Sequence, residues 1–515
     1  MMFLSRIIAV GKHSASARKL AVFSIGTGLA GLASFYGGKE DVAEAKSASL
    51  LEWLKEVGVN RSYFEGGKNP LKKIYYGPVL HSLKFGEVTK VEKALLGVDD
   101  QGKIAFFLDT DAADVPFDLS LVENEVQDDI TVVSLGRRFL IPGFVDGHAH
   151  APQHAFTGTG LDLPLLQWLM KYTFPAESKF ADVDHAREVY TKAVRSHLKN
   201  GSTTVSYFAT IHVEASKELA RIVEEMGQRA YVGKVNMDRN SPDFYIEGTQ
   251  ESLQGTLEFV EFIKSMNNPL VTPVITPRFV PSCTGALMHG LGLIARGFDL
   301  PIQSHMSEMV PECEWVHSLH PDCVNYSAVY DKYGLFTEKT YMAHCVHCDS
   351  AERNFVLNKG VGIVHCPLSN FSLASGICNV REWVEEGHKV GLGTDVSGGY
   401  SPSMLSAIRH ARIASIEIAR NQGHEGEKVM DKALTFDELF YLATLGGAQV
   451  LGLSDKIGNF DVGKEFDALV IDTEIEDGPI HAFKSDSVRG RFEKFLALGD
   501  DRNIVEVHVC GRQCL

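Results

Sequence analysis

Between Ile141 and Val396 the chain alternates between two hydrophobic periods. Short apolar runs rich in β-branched residues stand at Ile141–Val145, Thr203–Tyr207, Tyr231–Val235, Val271–Ile275, Pro301–Gln303, Tyr341–Ala343, Gly362–Val364 and Val390–Gly393. Between them, Val183–Leu198, Ala215–Glu225, Leu253–Met266, Glu352–Asn358 and Val380–Glu386 carry apolar residues three and four apart. The first pattern predicts buried strands and the second predicts helices with one apolar face. Strand–helix alternation predicts parallel strands joined by crossover helices. Eight strands over about 250 residues is the size of one (β/α)8 barrel. A doubly wound sheet is the rival, but no G-x-G-x-x-G follows any of these runs. The expected fold is α/β, with a (β/α)8 TIM barrel over residues 141–454.

The flanks follow another pattern. Leu95–Val98 and Lys103–Phe107 are joined by Asp99-Asp100-Gln101-Gly102, a hairpin signal. Phe466–Ile471 and Ile504–Val509 alternate as strands do, after a turn at Asp461-Val462-Gly463-Lys464. These arms, residues 75–140 and 455–515, are expected to build one small β-sandwich beside the barrel. Residues 1–70 are expected as an extension, targeting or disordered, with a helix-containing linker over 37–75.

Titratable residues collect where the predicted strands end. The first run leads into Asp146-Gly147-His148-Ala149-His150, and residues two apart on a strand face one side. The fifth leads into His305-Met306-Ser307-Glu308, the sixth into His344 and the eighth into Asp395. In a barrel the C-terminal strand ends share one mouth, where the chemistry sits. His148, His150, His305, His344 and Asp395 are therefore candidate metal ligands. Nitrogen and carboxylate donors of this mix suit Zn²⁺, one ion per subunit, with Fe²⁺ the alternative. His365 also ends a strand and stays open as a ligand or a supporting residue. Zinc brings the pKa of a bound water to about 7, and that chemistry needs a proton carrier. Glu308, three residues past a ligand, is the candidate carrier, while Asp395 would bind metal and orient the nucleophile. The zinc deaminases of another fold carry H-x-E with a later P-C-x-x-C. His212-Val213-Glu214 has the first half without the second.

Composition narrows the setting. Hydrophobic residues make up 44% of the 515 residues and charged residues 23%, an ordinary globular balance. The formal net charge of −16 argues against a phosphate-backbone binder, so no nucleic-acid partner is expected. No run of 18 apolar residues predicts a membrane span. The nine cysteines are odd in number and none precedes Cys283, which fits free thiols in a reducing compartment. Cys345-Val346-His347-Cys348 has C-x-x-C spacing with no second pair beside it. Residues 1–39 carry Arg6, Lys12, Arg18, Lys19 and Lys39, and the first acid is Glu40. The expected location is cytoplasmic, or mitochondrial if this basic segment is a transit peptide.

Longer motifs are more specific. Pro142 to Gln153, Leu161 to Leu166, Lys171 to Glu177, Thr276-Pro277-Arg278-Phe279, Ser304 to Glu308, His365 to Asn370, Gly391 to Gly399, Ala443 to Ala448 and Leu498 to Ile504 together resemble the amidohydrolase superfamily of metal-dependent hydrolases. Within it they are most similar to the members that act on guanine. The resemblance spans residues 75–510. It implies hydrolytic deamination of guanine to xanthine and ammonia, a step of purine catabolism. It also implies zinc held by His148, His150, His305 and Asp395, with His344 binding the metal or polarising its water. Glu308 becomes the proton shuttle, and Gln153, Arg278 and Phe279 the residues that hold the purine, with His150 and His305 bordering it. A homodimer is implied as well. The chemistry of these side chains suits such a ligand: a guanidinium matches the O6 and N7 acceptors of guanine, Phe279 offers a ring face, and Gln153 a donor and an acceptor. Arg278 paired to a helix carboxylate and Phe279 in the core are the plain alternatives. The rivals are an aminohydrolase for another heterocycle and a catalytically dead scaffold. The first 70 residues match nothing in the family.

Overall fold

Apolar residues in both phases of the N-terminal strands bury two faces of a single sheet. In the computed structural model, which describes residues 50–64, 69–113 and 130–515, that flank forms β1 (Leu71–Lys84), β2 (Glu87–Asp99), β3 (Ile104–Asp109), β4 (Thr131–Ser134) and β5 (Phe139–Pro142). The middle of the chain supplies β6 (Phe144–His150), β7 (Ser202–Phe208), β8 (Arg229–Gly233), β9 (Val235–Asn236), β10 (Val271–Pro273), β11 (Thr276–Pro277), β12 (Ile302–Met306), β13 (Thr340–His344), β14 (Gly362–His365) and β15 (Val390–Leu392). The C-terminal flank adds β16 (Ala468–Ile471), β17 (Ile504–Val509) and β18 (Arg512–Gln513).

The two flanks do meet. They form one eight-stranded sheet in the order β18-β17-β16-β5-β1-β2-β3, with β4 beside β1. The junction is antiparallel, Ala468 opposite Pro142 and Ile471 opposite Phe139. The β2–β3 turn requires Gly102, whose φ is +72° and whose Cβ would fall 1.9 Å from the Cys510 carbonyl oxygen. Alternation sorts the strand residues: Tyr75, Leu96 and Val98 join Phe466 and Val470 in one cluster. Ile74, Tyr76 and Leu95 join a second cluster, and helix α1 (Leu50–Glu56) closes it with Leu50, Trp53 and Leu54. Part of the stretch expected as extension and linker is thus a packed cover on the sheet. The basic segment 1–39 lies outside the described residues.

The middle strands run parallel, as the alternating pattern requires. They lie in three sheets, β10-β8-β7-β6, β11-β9 and β12-β13-β14-β15. A fully laddered closed barrel is not formed. Pro273, Pro277 and Pro301 remove N–H donors where the sheets would join. Single bonds link the pieces instead. Ile275 donates to Pro301 O at 3.0 Å, and Gln303 to Ile275 O at 2.9 Å. Past β15 the chain returns to β6: Asp395 N donates to His148 O and His150 N to Val396 O, both at 2.8 Å. The first expected strand, Ile141–Val145, proves to be two. Gly143 breaks it, since a Cβ there would sit 2.1 Å from Thr203 Oγ1. The residues before it enter the flank sheet and those after it enter β6.

The crossover helices appear as expected. Val183–Lys199 begins at Asp182, whose carboxylate accepts from the N–H groups of Asp184 and His185. Val213–Met226 ends at Gly227 in the left-handed region. Among the described residues no helix is long and apolar enough to cross a membrane. The flank sheet is tied to the parallel strands by Arg229 of β8, which is 4% exposed. Its guanidinium donates to Asp467 Oδ1 at 2.9 Å and to Glu465 Oε2 at 2.7 Å. Arg229→Ala strands the Asp467 carboxylate in the interior. It is expected to lower unfolding free energy by ~3–5 kcal/mol in urea titration; a change under ~1 kcal/mol would show that the clamp does not hold the layers.

Candidate active site

One strand end after another contributes to a single cavity. His148 and His150 lie on β6, and Gln153 on the turn Ala151–Phe156 that follows. Arg278 and Phe279 follow β11, His305 lies on β12 and Glu308 two residues beyond it. His344 ends β13, and Asp395 lies three residues past β15. Backbone strain gathers at these ends. Ser307, His344, Cys345 and Asp395 have φ of +50°, +74°, +49° and +46°, a region that L-residues rarely occupy.

The ligand atoms of His148, His305, His344 and Asp395 all lie within 4.8 Å of one another. His150 flanks this group, its Nε2 3.1 Å from His305 Nε2 and 3.5 Å from Asp395 Oδ1. The outer nitrogens are already spoken for. His305 Nδ1 lies 2.6 Å from the Arg278 carbonyl oxygen, and His344 Nδ1 lies 3.0 Å from Asn370 Oδ1. As donors there, both rings leave Nε2 with a free lone pair aimed at the cluster. His148 Nε2 is buried 3.1 Å from Asp395 Oδ1 without an aligned hydrogen bond. Buried polar atoms are seldom left unpaired, so converging lone pairs fit a cation. His365 stands apart from the group. Both its ring nitrogens lack a hydrogen-bond partner, and burial, then His344, brings its pKa down to about 3.

Electrostatics separates the carboxylates. Burial raises the pKa of Asp395, but His148, His344 and His150 overrule it and hold the group well below its usual range. Glu308 is 4% exposed and is pushed above its usual value by burial and by Asp395, against the pull of His344. Its Oε1 accepts from Ser375 Oγ at 2.8 Å and its Oε2 lies 3.6 Å from His344 Nε2. A carboxyl kept protonatable beside a candidate metal-binding cluster is equipped to carry protons. His150 and His305 are held neutral by burial and by neighbouring imidazoles.

The cavity is lined by His150, Gln153, Arg278, His305, Glu308, His344 and Asp395, with Leu165, Trp168, Leu169, Phe279 and Leu373 as apolar walls. That mixture suits a small planar ligand. Phe279 lines it and is also 7% exposed, so it serves wall and core at once. Arg278 is paired to a helix carboxylate, Glu177, and still lines the cavity.

Four supporting residues escaped the sequence reading. Asp146 is fully buried and accepts from the backbone of His148 and Thr394 and from Thr394 Oγ1, tying together two strand ends that carry candidate ligands. Asn370 orients His344. Glu312 caps the Glu308 backbone, accepting from its N–H at 2.9 Å, and burial raises its pKa to about 7. Glu177 binds both Arg278 and Gln153. Asn370 and Glu177 fall inside quoted motifs, but their partners are 24 to 101 residues away in sequence.

Comparison with known proteins finds relatives over most of the chain. The model of the amidohydrolase family matches residues 139–514. A guanine deaminase of Mus musculus is 48% identical over 451 residues, 86% of this chain and 97% of the relative. One of Dictyostelium discoideum is 45% identical over 449 residues, 86% of this chain and 98% of the relative. A crystal structure of guanine deaminase from C. acetobutylicum, with guanine bound in its active site, superposes with a TM-score of 0.77. It is 38% identical and covers 86% of this chain and 99% of that one. Asn370→Ala removes the acceptor that sets the His344 tautomer. Metal affinity, measured by chelator competition, is expected to fall ~10–100-fold with the fold intact; unchanged affinity would remove Asn370 from the support of the site.

Proposed function

The chain belongs to the amidohydrolase family, and we propose that it hydrolyses guanine to xanthine and ammonia in the cavity built by β6, β11, β12, β13 and the segment after β15. One observation carries the reading: the guanidinium of Arg278 and the amide of Gln153 line the same cavity as Glu308 and the metal-binding cluster. Arg278 can donate to O6 and N7 of guanine, a pattern that adenine lacks because it carries an amino group at position 6. Phe279 packs against the base, and Gln153 bonds its edge.

His148, His305, His344 and Asp395 would hold the cation, with His150 at their flank. We favour zinc on the donor set, with Fe²⁺ the alternative. When bound, such an ion lowers the pKa of a water to about 7. The chain's own groups do the rest. Glu308 accepts a proton of the attacking water and delivers it to ring N3 as the C2=N3 double bond opens, then carries the second proton from the new C2 hydroxyl to the amine, so that the C2–N bond breaks, ammonia departs and the carbonyl of xanthine forms. His344, held in orientation by Asn370, borders Glu308 on the side of the cluster. Leu165, Trp168 and Leu169 exclude bulk water above the base, which strengthens every polar contact below them.

Four finer readings go with this one. The order of the parallel strands and the bonds from Asp395 and Val396 back to β6 support a (β/α)8 barrel wall. We read the eight-stranded flank sheet, one sheet covered on both faces, as a small flank domain in place of the expected two-sheet sandwich. A homodimer and a cytoplasmic location complete the proposal.

The first test is ammonia release from guanine, adenine, cytosine and a triazine by the purified, metal-loaded protein. Guanine is expected to be the preferred substrate, and no release from it would refute the reading. Glu308→Gln should keep metal and fold while kcat falls by ~10²-fold or more; near wild-type turnover would exclude Glu308 as the proton carrier. Arg278→Ala should raise KM for guanine with metal content unchanged, whereas unaltered KM and kcat would refute its contact with the base.

A further inference from the structure

Glu177 is 0% exposed and takes no part in the steps above. It ends the short helix Phe174–Glu177, directly after a π-helical turn at Leu169–Thr173. Such turns often mark functional sites, and this one carries the cavity wall at its start. Four donors converge on the carboxylate. Oε2 accepts from Arg278 Nη1 at 2.6 Å and from Tyr245 OH at 2.7 Å. Oε1 accepts from Arg278 Nη2 at 3.1 Å and from Gln153 Nε2 at 3.0 Å. A carboxylate has about four acceptor positions, so none is left for a ligand. Glu177 therefore acts through the residues it holds.

Its hold on each is specific. The bidentate pair fixes the plane of the Arg278 fork, and the Phe174 ring lies 5.3 Å from its Cζ. The bond to Gln153 fixes which end of that amide is nitrogen, and Gln153 Oε1 accepts from Ser397 N at 3.2 Å. The remaining N–H groups of both side chains are left for the cavity that they line. The pair is also neutral as a unit. Around it, Tyr245, Tyr190 and His212 face Glu177, while His150 and Asp395 face Arg278. Burial keeps both tyrosines protonated.

Neutrality has a consequence for the two ligands of this site. Hydrolysis replaces the C2 amino group by a carbonyl, leaving the N1–H between two carbonyls. The product is thus a more acidic imide than the substrate. An uncompensated guanidinium in a dry cavity would bind its anion tightly.

We propose that Glu177 is a positioning residue of the purine pocket, which sets Arg278 and Gln153 to read the base and cancels the guanidinium charge so that the acidic product leaves. The inference rests on the guanine reading of the site.

The readout is the ratio of the xanthine inhibition constant to the guanine KM, measured on metal-loaded protein at mildly alkaline pH. A purely structural role would not move this ratio. In Glu177→Gln the expected results are full metal content, a KM for guanine raised more than kcat is lowered, and a ratio lowered ~10-fold or more, because the product anion meets an unpaired cation. Arg278→Gln leaves the opposite charge unpaired and should raise the ratio. If the single variant fails to fold with a buried charge unpaired, Arg278→Gln and the double variant Glu177→Gln/Arg278→Gln carry the test. The double variant should return the ratio to the wild-type value. A ratio constant within ~2-fold across the variants, or moved in the same direction by both single changes, overturns the proposal. Wild-type protein that releases no ammonia from guanine overturns the functional reading instead.

Discussion

The structure depends on one constraint: buried imidazoles and carboxylates must find partners, and at the strand ends the protein itself does not supply them all. His148 Nε2 and His150 Nδ1 are buried without hydrogen bonds, and the Nε2 atoms of His305 and His344 are turned inward by bonds on their far sides. In an empty interior this arrangement would cost several kcal/mol. A cation at their meeting point turns the cost into binding energy. The left-handed backbone at His344 and Asp395 fits the same view, since strained geometry persists only where surroundings impose it.

The rest of the fold holds that convergence in place. Asp146 ties the His148 backbone to Thr394, so the first and last parallel strands cannot drift apart at the cluster. Glu312 caps the segment that carries Glu308. Arg229 locks β8 to the segment before β16, so the flank sheet braces the parallel strands from the side. The excursion from Phe156 to Glu177 supplies the cavity walls Leu165, Trp168 and Leu169 and the carboxylate that holds Arg278 and Gln153.

Much of this was legible in the sequence because it obeys local periodicity. The crossover helices and most parallel strands follow from period and composition. Placing them at strand ends was enough to bring His150, His305, Glu308, His344 and Asp395 to one cavity, with His148 in the cluster that borders it. The failures have a common physical cause. Ile141–Val145 read as one strand because Gly143 is apolar in pattern, whereas its role is set by Thr203 pressed against it. The sheets do not close into a full ladder because three prolines lack the necessary N–H groups, a matter of register that hydrophobicity does not report. A helix was expected within 37–75, but not its packing on β1 to β3, which gives so short a helix its stable place. Asp146, Asn370, Glu177 and Glu312 act through partners distant in the chain or through backbone atoms, so no spacing rule points to them.

The central claim is that the strand-end cluster binds one catalytic cation. Anomalous diffraction at the zinc edge from crystals of the metal-loaded protein tests it most directly. The account predicts a single strong peak bounded by His148, His305, His344 and Asp395. No peak there, or a peak held by other side chains, would contradict it.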